Sequence, residues 1–284
     1  MSESGAPSLF DAQVEGWCRK AARIAPPRPP EGKPYAGLKV CVMCMTPRSG
    51  STHLGALMRA NGLGDGQEHF RVSGDQMQRF VAKHDARTYE DYFREIVRTR
   101  RQGDTFLVKC DWWQFAPLYY FGMFDHYLKD ASFLYLTRGS VLDQAVSRHI
   151  ATQTGYFHSV NEDKADTASD EVPFDRDEVG GHLSHLIDMQ SQWELFFAEN
   201  RLSPLRLRYE EIDEDPRAVL SRLFAYLGRD EPEAFTLETP YERVRNARNE
   251  RLADAYVASS AAERRAIRER LTAEFASKTG AVKA

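Results

Sequence analysis

Residues 38–60 read LKVCVMCM, TPRSGST, HLGALMRA in immediate succession. The first block is a near-continuous apolar run of strand length, and the last has apolar positions spaced for a helix. Between them, seven residues supply a proline, a glycine and four hydroxyl side chains. A strand that passes through a tight loop into a helix presents free backbone N–H groups and a partial positive charge at the loop. That geometry suits phosphate or sulfate. Ser49, Ser51 and Thr52 add hydroxyl donors, Gly50 lets the backbone approach an anion, and Arg48 brings a permanent charge on a two-pronged fork. An ordinary strand-to-helix turn capped by Ser51 or Thr52 is the alternative reading. The loop lacks the GxxxxGK[ST] pattern, with no Lys beside its hydroxyls.

Outward from this junction, short apolar runs alternate with longer helical ones. TFLVKCD (105–111), SFLYLTR (132–138) and PLRLRYE (204–210) read as further strands. Helices are expected near 51–61, 75–101, 114–129, 140–153, 179–200 and 216–227, with a charge-rich helix from Glu250 to about Ser277. Apolar strands separated by helices indicate a parallel sheet covered on both faces. The expected fold class is therefore α/β: a P-loop-like three-layer fold with a central, mainly parallel sheet flanked by helices, plus helical additions. Residues 8–24 form a short amphipathic helix with Phe10, Val14, Trp17 and Cys18 on one stripe. APPRPPEGKP (25–34) then acts as a stiff connector. The expected organisation is 1–34 as N-terminal helix and connector, and 35–284 as the main domain. Residues 155–178 are polar and long for an internal connection, reading as a mobile lid or as disorder.

Composition removes several function classes. The chain has 284 residues, 42% of them hydrophobic, which is enough for a true core. Its 38 Lys and Arg against 42 Asp and Glu give a net charge of -4, which disfavours nucleic acid or an anionic membrane surface as partner. No apolar run approaches the ~20 residues of a membrane span. Asp11 and Glu15 stand where a secretory signal needs apolar residues, so the expected location is cytoplasmic. Cys41 and Cys44 form a CxxC inside a strand, where positions three apart face opposite ways. They read as buried thiols, and no metal site is expected.

A second strand end strengthens the anion reading. SFLYLTR finishes on Arg138 and leads into a helix bearing Ser147, so both can meet an anion at the carboxyl edge of the sheet. Taken together, TPRSGST, GLGDGQEHF (62–70) and LTRGSVLDQAVS with QTGYFH resemble the bacterial carbohydrate sulfotransferases typified by trehalose 2-sulfotransferase. The resemblance runs from about residue 38 to 250 and is dense only in these motifs. It implies 3′-phosphoadenosine 5′-phosphosulfate (PAPS) as sulfuryl donor, adenosine 3′,5′-bisphosphate as product, and a small-molecule carbohydrate or glycolipid acceptor. The family includes dimers, so a homodimer is an expectation.

The resemblance also implies roles. Arg48, Ser49, Gly50, Ser51 and Thr52 would hold the 5′-phosphosulfate, and Arg138 and Ser147 the 3′-phosphate. Arg248 and, less directly, Arg245 in VRNARNE would close over the nucleotide, with a solvated charge run as the alternative. Glu68 would take the proton from the acceptor hydroxyl. His69 beside it competes as a base or lines the acceptor site. Lys109 would stabilise the sulfuryl group or the leaving phosphate, unless it is a surface Lys with its stem along the sheet. Asp111 stands where many eukaryotic sulfotransferases carry a catalytic His, which agrees with a base elsewhere. Trp112 reads either as an acceptor contact or as core. The competing functions are a P-loop kinase-like enzyme, for which Asp111 is the only magnesium candidate, and a non-catalytic nucleotide-binding protein.

Overall fold

A computed structural model describes residues 9–155, 172–241 and 247–280. Strand β1 (Lys39–Met45) is the apolar run of the opening motif, and it is central for a reason visible in its composition: both of its faces are apolar. It pairs in parallel with β2 (Thr105–Cys110) on one side and β3 (Ser132–Thr137) on the other; β4 (Leu205–Arg208) pairs in parallel with β3. The sheet order is β2-β1-β3-β4. The expected parallel α/β sheet is thus observed.

Alternation along each strand sends side chains to two cores. Cys41, Met43, Met45, Leu107, Leu134 and Leu136 face helices α2 (Ser51–Ala60) and α9 (Pro216–Tyr226), meeting Leu54, Leu57, Leu220 and Leu223. On the other face, Phe106 meets Phe93 of α4 (Tyr89–Arg100). Phe133 and Tyr135 meet Phe196 and Phe197, near the end of α7 (Arg176–Glu199). Helix α5 (Trp112–Tyr120) completes this aromatic layer and packs on α1 (Leu9–Ile24). Cys41 falls on one face and Cys44 on the other; both are buried and unpaired, as the CxxC reading required.

Several boundaries differ from the sequence reading. The helix expected over 75–101 is two: α3 (Gln76–His84) stops where Asp85 turns left-handed at φ 46°. Helix α4 then starts afresh on a capping box between Thr88 and Asp91. The helix expected over 114–129 ends at Tyr120, and Phe124–Leu128 form a separate π-helical turn. PLRLRYE stops being a strand at Arg208, and Tyr209 opens the short α8 (Tyr209–Glu214). Of the polar stretch 155–178, residues 156–171 fall outside the described residues, and helix begins at Arg176. The connector is tied down, because the Glu90 carboxylate accepts from the backbone N–H groups of Glu31 and Gly32.

The chain divides into two compact units: residues 1–139 with 186–241, and residues 140–185 with 242–284. The sheet belongs to the first. In the second, α6 (Val141–Thr154) packs on α10 (Ala247–Gly280) through Val146, Ile150, Leu252 and Ala253. Among the described residues no helix is long and apolar enough to cross a membrane.

The aromatic layer carries much of the first unit's burial. The Phe196 ring lies 4.9 Å from that of Phe115 and 5.1 Å from that of Phe124, and it is 1% exposed. Phe196→Ala is expected to cost about 3–5 kcal/mol, read from urea unfolding followed by tryptophan fluorescence.

Candidate active site

The loop after β1 is built by a β-turn. Pro47 and Arg48 occupy its centre, and the Ser49 N–H donates to the Thr46 carbonyl at 3.2 Å. Arg48 has φ 67°, a left-handed conformation normally left to glycine. Gly50 follows at φ 84° as the N-cap of α2, with no side chain capping the helix. The first N–H groups of α2 are therefore left for something other than a cap. Neither Ser51 nor Thr52 occupies the N-cap, since both lie inside the helix. Beside them the Ser49 hydroxyl is buried and finds no hydrogen-bond partner among the described residues. An uncapped helix start next to a buried hydroxyl without a partner fits an anionic group.

Gly50 is required twice over. Besides its positive φ, a Cβ there would lie 2.0 Å from the Tyr209 ring. Nothing in the sequence singles out Tyr209; the signal it offers is an aromatic residue just past the carboxyl end of a strand. Its ring also stacks under the Arg138 guanidinium, 5.4 Å from the ring centre. Arg138 in turn donates to the Arg48 carbonyl at 3.4 Å. The two arginines expected at separate strand ends thus meet around one loop. Burial, and after it the nearby Arg138, push the Arg48 guanidinium below its ordinary pKa. Two adjacent guanidinium groups are the electrostatic mark of a place where negative charge is welcome.

Lys109 lies at the carboxyl end of β2, in register with Met43, on the face that carries α2. It is 3% exposed, so the surface-stem reading does not hold. Its Nζ donates to Thr52 Oγ1 at 3.3 Å and stands 3.4 Å from Glu68 Oε1. Desolvation lowers its pKa, with Glu68 opposing. Glu68 reaches this point because its loop lies directly on α2 at a glycine–glycine contact: a Cβ on Gly66 would come within 2.5 Å of the Gly55 Cα. Glu68 Oε2 accepts from Gln114 Nε2 at 2.8 Å. Asp111 caps α5, accepting from the Gln114 N–H at 3.0 Å, which gives this carboxylate a structural task.

His69 and Glu68, the two competing bases, have different surroundings. The Glu68 side chain is 28% exposed, whereas that of His69 is 5% exposed with its Nε2 3.8 Å from Asp65. Burial drives the His69 pKa down to about 4, with Arg100 and Lys109 adding to the effect against Asp65. Trp112 sits in the aromatic core, 2% exposed with its ring 5.2 Å from that of Trp193, so the structure places it as packing. Ser147 and Arg248 belong to the second unit, on the packed helices α6 and α10, with Ser147 buried. Arg245 lies outside the described residues. Among the described residues no group of three or more His, Cys, Asp or Glu is placed to hold a metal ion.

Comparison with known proteins bears on this site. Residues 123–259 match the Stf0 sulphotransferase family. The resemblance read from the motifs is borne out over that stretch, which contains Arg138 and Ser147. The anion loop, Glu68 and Lys109 precede it and rest on the geometry above. No curated protein matches the chain. Among solved structures, the chain is similar to mouse sulfotransferase SULT7A1 complexed with PAP, with 14% identity over 79% of this chain and 66% of that one, at a TM-score of 0.38. It is also similar to the sulfotransferase domain of the Synechococcus PCC 7002 olefin synthase, with 18% identity over 81% of this chain and 90% of that one, at a TM-score of 0.38.

Gly50→Ala tests the loop. The backbone strain and the clash with Tyr209 are expected to lower stability by about 1–3 kcal/mol. Stabilisation of the wild type by millimolar inorganic sulfate, followed by thermal unfolding, should disappear in the variant.

Proposed function

We propose that this protein transfers the sulfuryl group of PAPS to a hydroxyl of a carbohydrate or glycolipid acceptor, releasing adenosine 3′,5′-bisphosphate. One observation carries the reading: a buried Lys109 touches both Thr52, in the first turn of α2 where the anion loop ends, and Glu68. A cation and a carboxylate are thereby held beside an uncapped helix N-terminus, the set of groups that sulfuryl transfer to a hydroxyl needs. The Stf0 match over residues 123–259 supports the same reading.

In the transfer, an acceptor oxygen bonds to sulfur while the bond from sulfur to the bridging phosphate oxygen breaks, and the electron pair leaves with the bisphosphate. Bound PAPS supplies an activated sulfuryl group on a phosphate leaving group. The N–H groups opening α2, with the Ser49, Ser51 and Thr52 hydroxyls and the Arg48 guanidinium, hold the 5′ end. Lys109 neutralises charge as it gathers on the bridging oxygen. Glu68 takes the acceptor proton, which requires approach to about 3 Å or through one water. His69, uncharged near neutral pH with a pKa of about 4, lines the acceptor side. Arg138, steadied on Tyr209, holds the 3′-phosphate. Ser147, Arg245 and Arg248 are assigned to the nucleotide on the sequence resemblance alone. Four unpaired cysteines suit a reducing compartment, which supports a cytoplasmic location.

Two variants separate binding from chemistry. Arg138→Ala is expected to weaken adenosine 3′,5′-bisphosphate binding about 10- to 100-fold by calorimetry, the loss of a charge-assisted contact of about 1.5–3 kcal/mol. Glu68→Gln should lower transfer about 10²–10³-fold while leaving that affinity within about threefold. Transfer is measured with radiolabelled PAPS against a cell extract, with mass identification of the sulfated product. Bisphosphate binding without any labelled product would overturn the enzymatic reading.

A further inference from the structure

Gln114 is buried, 6% exposed, on the first turn of α5, and its side-chain amide faces two carboxylates. Nε2 stands 2.8 Å from Glu68 Oε2 and 3.5 Å from Asp111 Oδ2. Both neighbours only accept when ionised, so the amide must present its NH2 group to them and cannot be flipped. The backbone N–H of the same residue donates to Asp111 Oδ1 at 3.0 Å, which locks the start of α5 and with it the origin of the side chain. Glu68 therefore has its two oxygens on different partners: Oε2 on a neutral amide fixed to a helix, and Oε1 on Lys109, 3.4 Å away.

These partners differ in what they can do during a reaction. The amide is held in place, because its NH2 is engaged by two carboxylates at once. The ammonium has a second neighbour in Thr52 Oγ1 at 3.3 Å, at the anion loop, and can shift its contact in that direction. We infer that Gln114 is a positioning residue that pins Glu68 Oε2 and so selects Oε1, the oxygen shared with Lys109, as the atom that takes the acceptor proton. The inference rests on the proposed role of Glu68 as base. It explains why a neutral donor stands here: a second cation beside Lys109 would lower the basicity of the carboxylate further, and an acceptor would repel it. Glu68 contacts Lys109 from β2 and Gln114 from α5; Thr52 is reached through Lys109 and Asp111 through Gln114, while Asp65 and His69, which lie 3.8 Å apart, belong to its own loop.

The test compares Gln114→Leu, Gln114→Glu and Glu68→Gln, using radiolabelled PAPS and the extract fraction that accepts label. Gln114→Leu is expected to lower kcat about 10- to 100-fold, with bisphosphate affinity unchanged, because the base swings out of line. Gln114→Glu keeps the shape but sets a third carboxylate against two others. The acid limb of its kcat/KM profile should move up by about a pH unit or more, a change that a merely structural role would not produce. Wild-type kcat in Gln114→Leu together with an unmoved acid limb in Gln114→Glu, while Glu68→Gln is inactive, would overturn the positioning role alone. An active Glu68→Gln would instead remove the base reading, and this inference with it.

Discussion

The site depends on crowding positive charge around the start of one helix. Arg48 and Arg138 meet around one loop carbonyl, and Lys109 is buried beside the helix that this loop opens. Glu68 stands 3.4 Å from Lys109 and offsets part of this charge. Burying an ammonium is costly even beside a carboxylate, and like charges held together lower each other's basicity. Such an arrangement is most stable with an anion present. The buried Ser49 hydroxyl, without a partner among the described residues, points the same way from the uncharged side.

Backbone geometry, together with the Lys109–Glu68 pair, holds this arrangement. Arg48 sits left-handed at the third place of a turn, and Gly50 follows left-handed under the Tyr209 ring. The Glu68 loop lies on α2 through two glycines whose backbones nearly touch. Strain of this kind persists only when the surroundings over-determine it. Here the surroundings are the two-sided core of the parallel sheet, whose strands end together at the loop, Lys109 and Arg138. Tyr209 links the parts, filling the space that Gly50 leaves and supporting the Arg138 guanidinium.

Much of this was legible in the residues. The parallel sheet followed from apolar runs too short for helices, and the anion loop from a strand passing through TPRSGST into a helix. Boundaries were less so. The break between α3 and α4 depends on Asp85 turning left-handed and on the Thr88 capping box, local signals that the continuous apolar spacing of 75–101 obscured. For Trp112 the sequence allows both packing and acceptor contact, because an aromatic residue after a strand suits either. Its neighbours Trp193 and Phe196, some eighty residues away, place it in the core. Gln114 and Tyr209 carried no motif at all, since their importance lies in what they touch.

The sequence by itself determined which residues stand at strand ends and helix starts, because periodicity and turn chemistry are local properties written within a few residues. It also determined the candidate chemistry: cations and hydroxyls after β1, a carboxylate after α2, an arginine after β3. Only the tertiary structure decided that Lys109 touches both Thr52 and Glu68, that Arg138 reaches Arg48, and that Gln114 holds one oxygen of Glu68. Those contacts join residues from about 40 to 90 positions apart. Distances of that kind are set by how strands align in the sheet and how closely two glycine backbones approach, which no local pattern encodes.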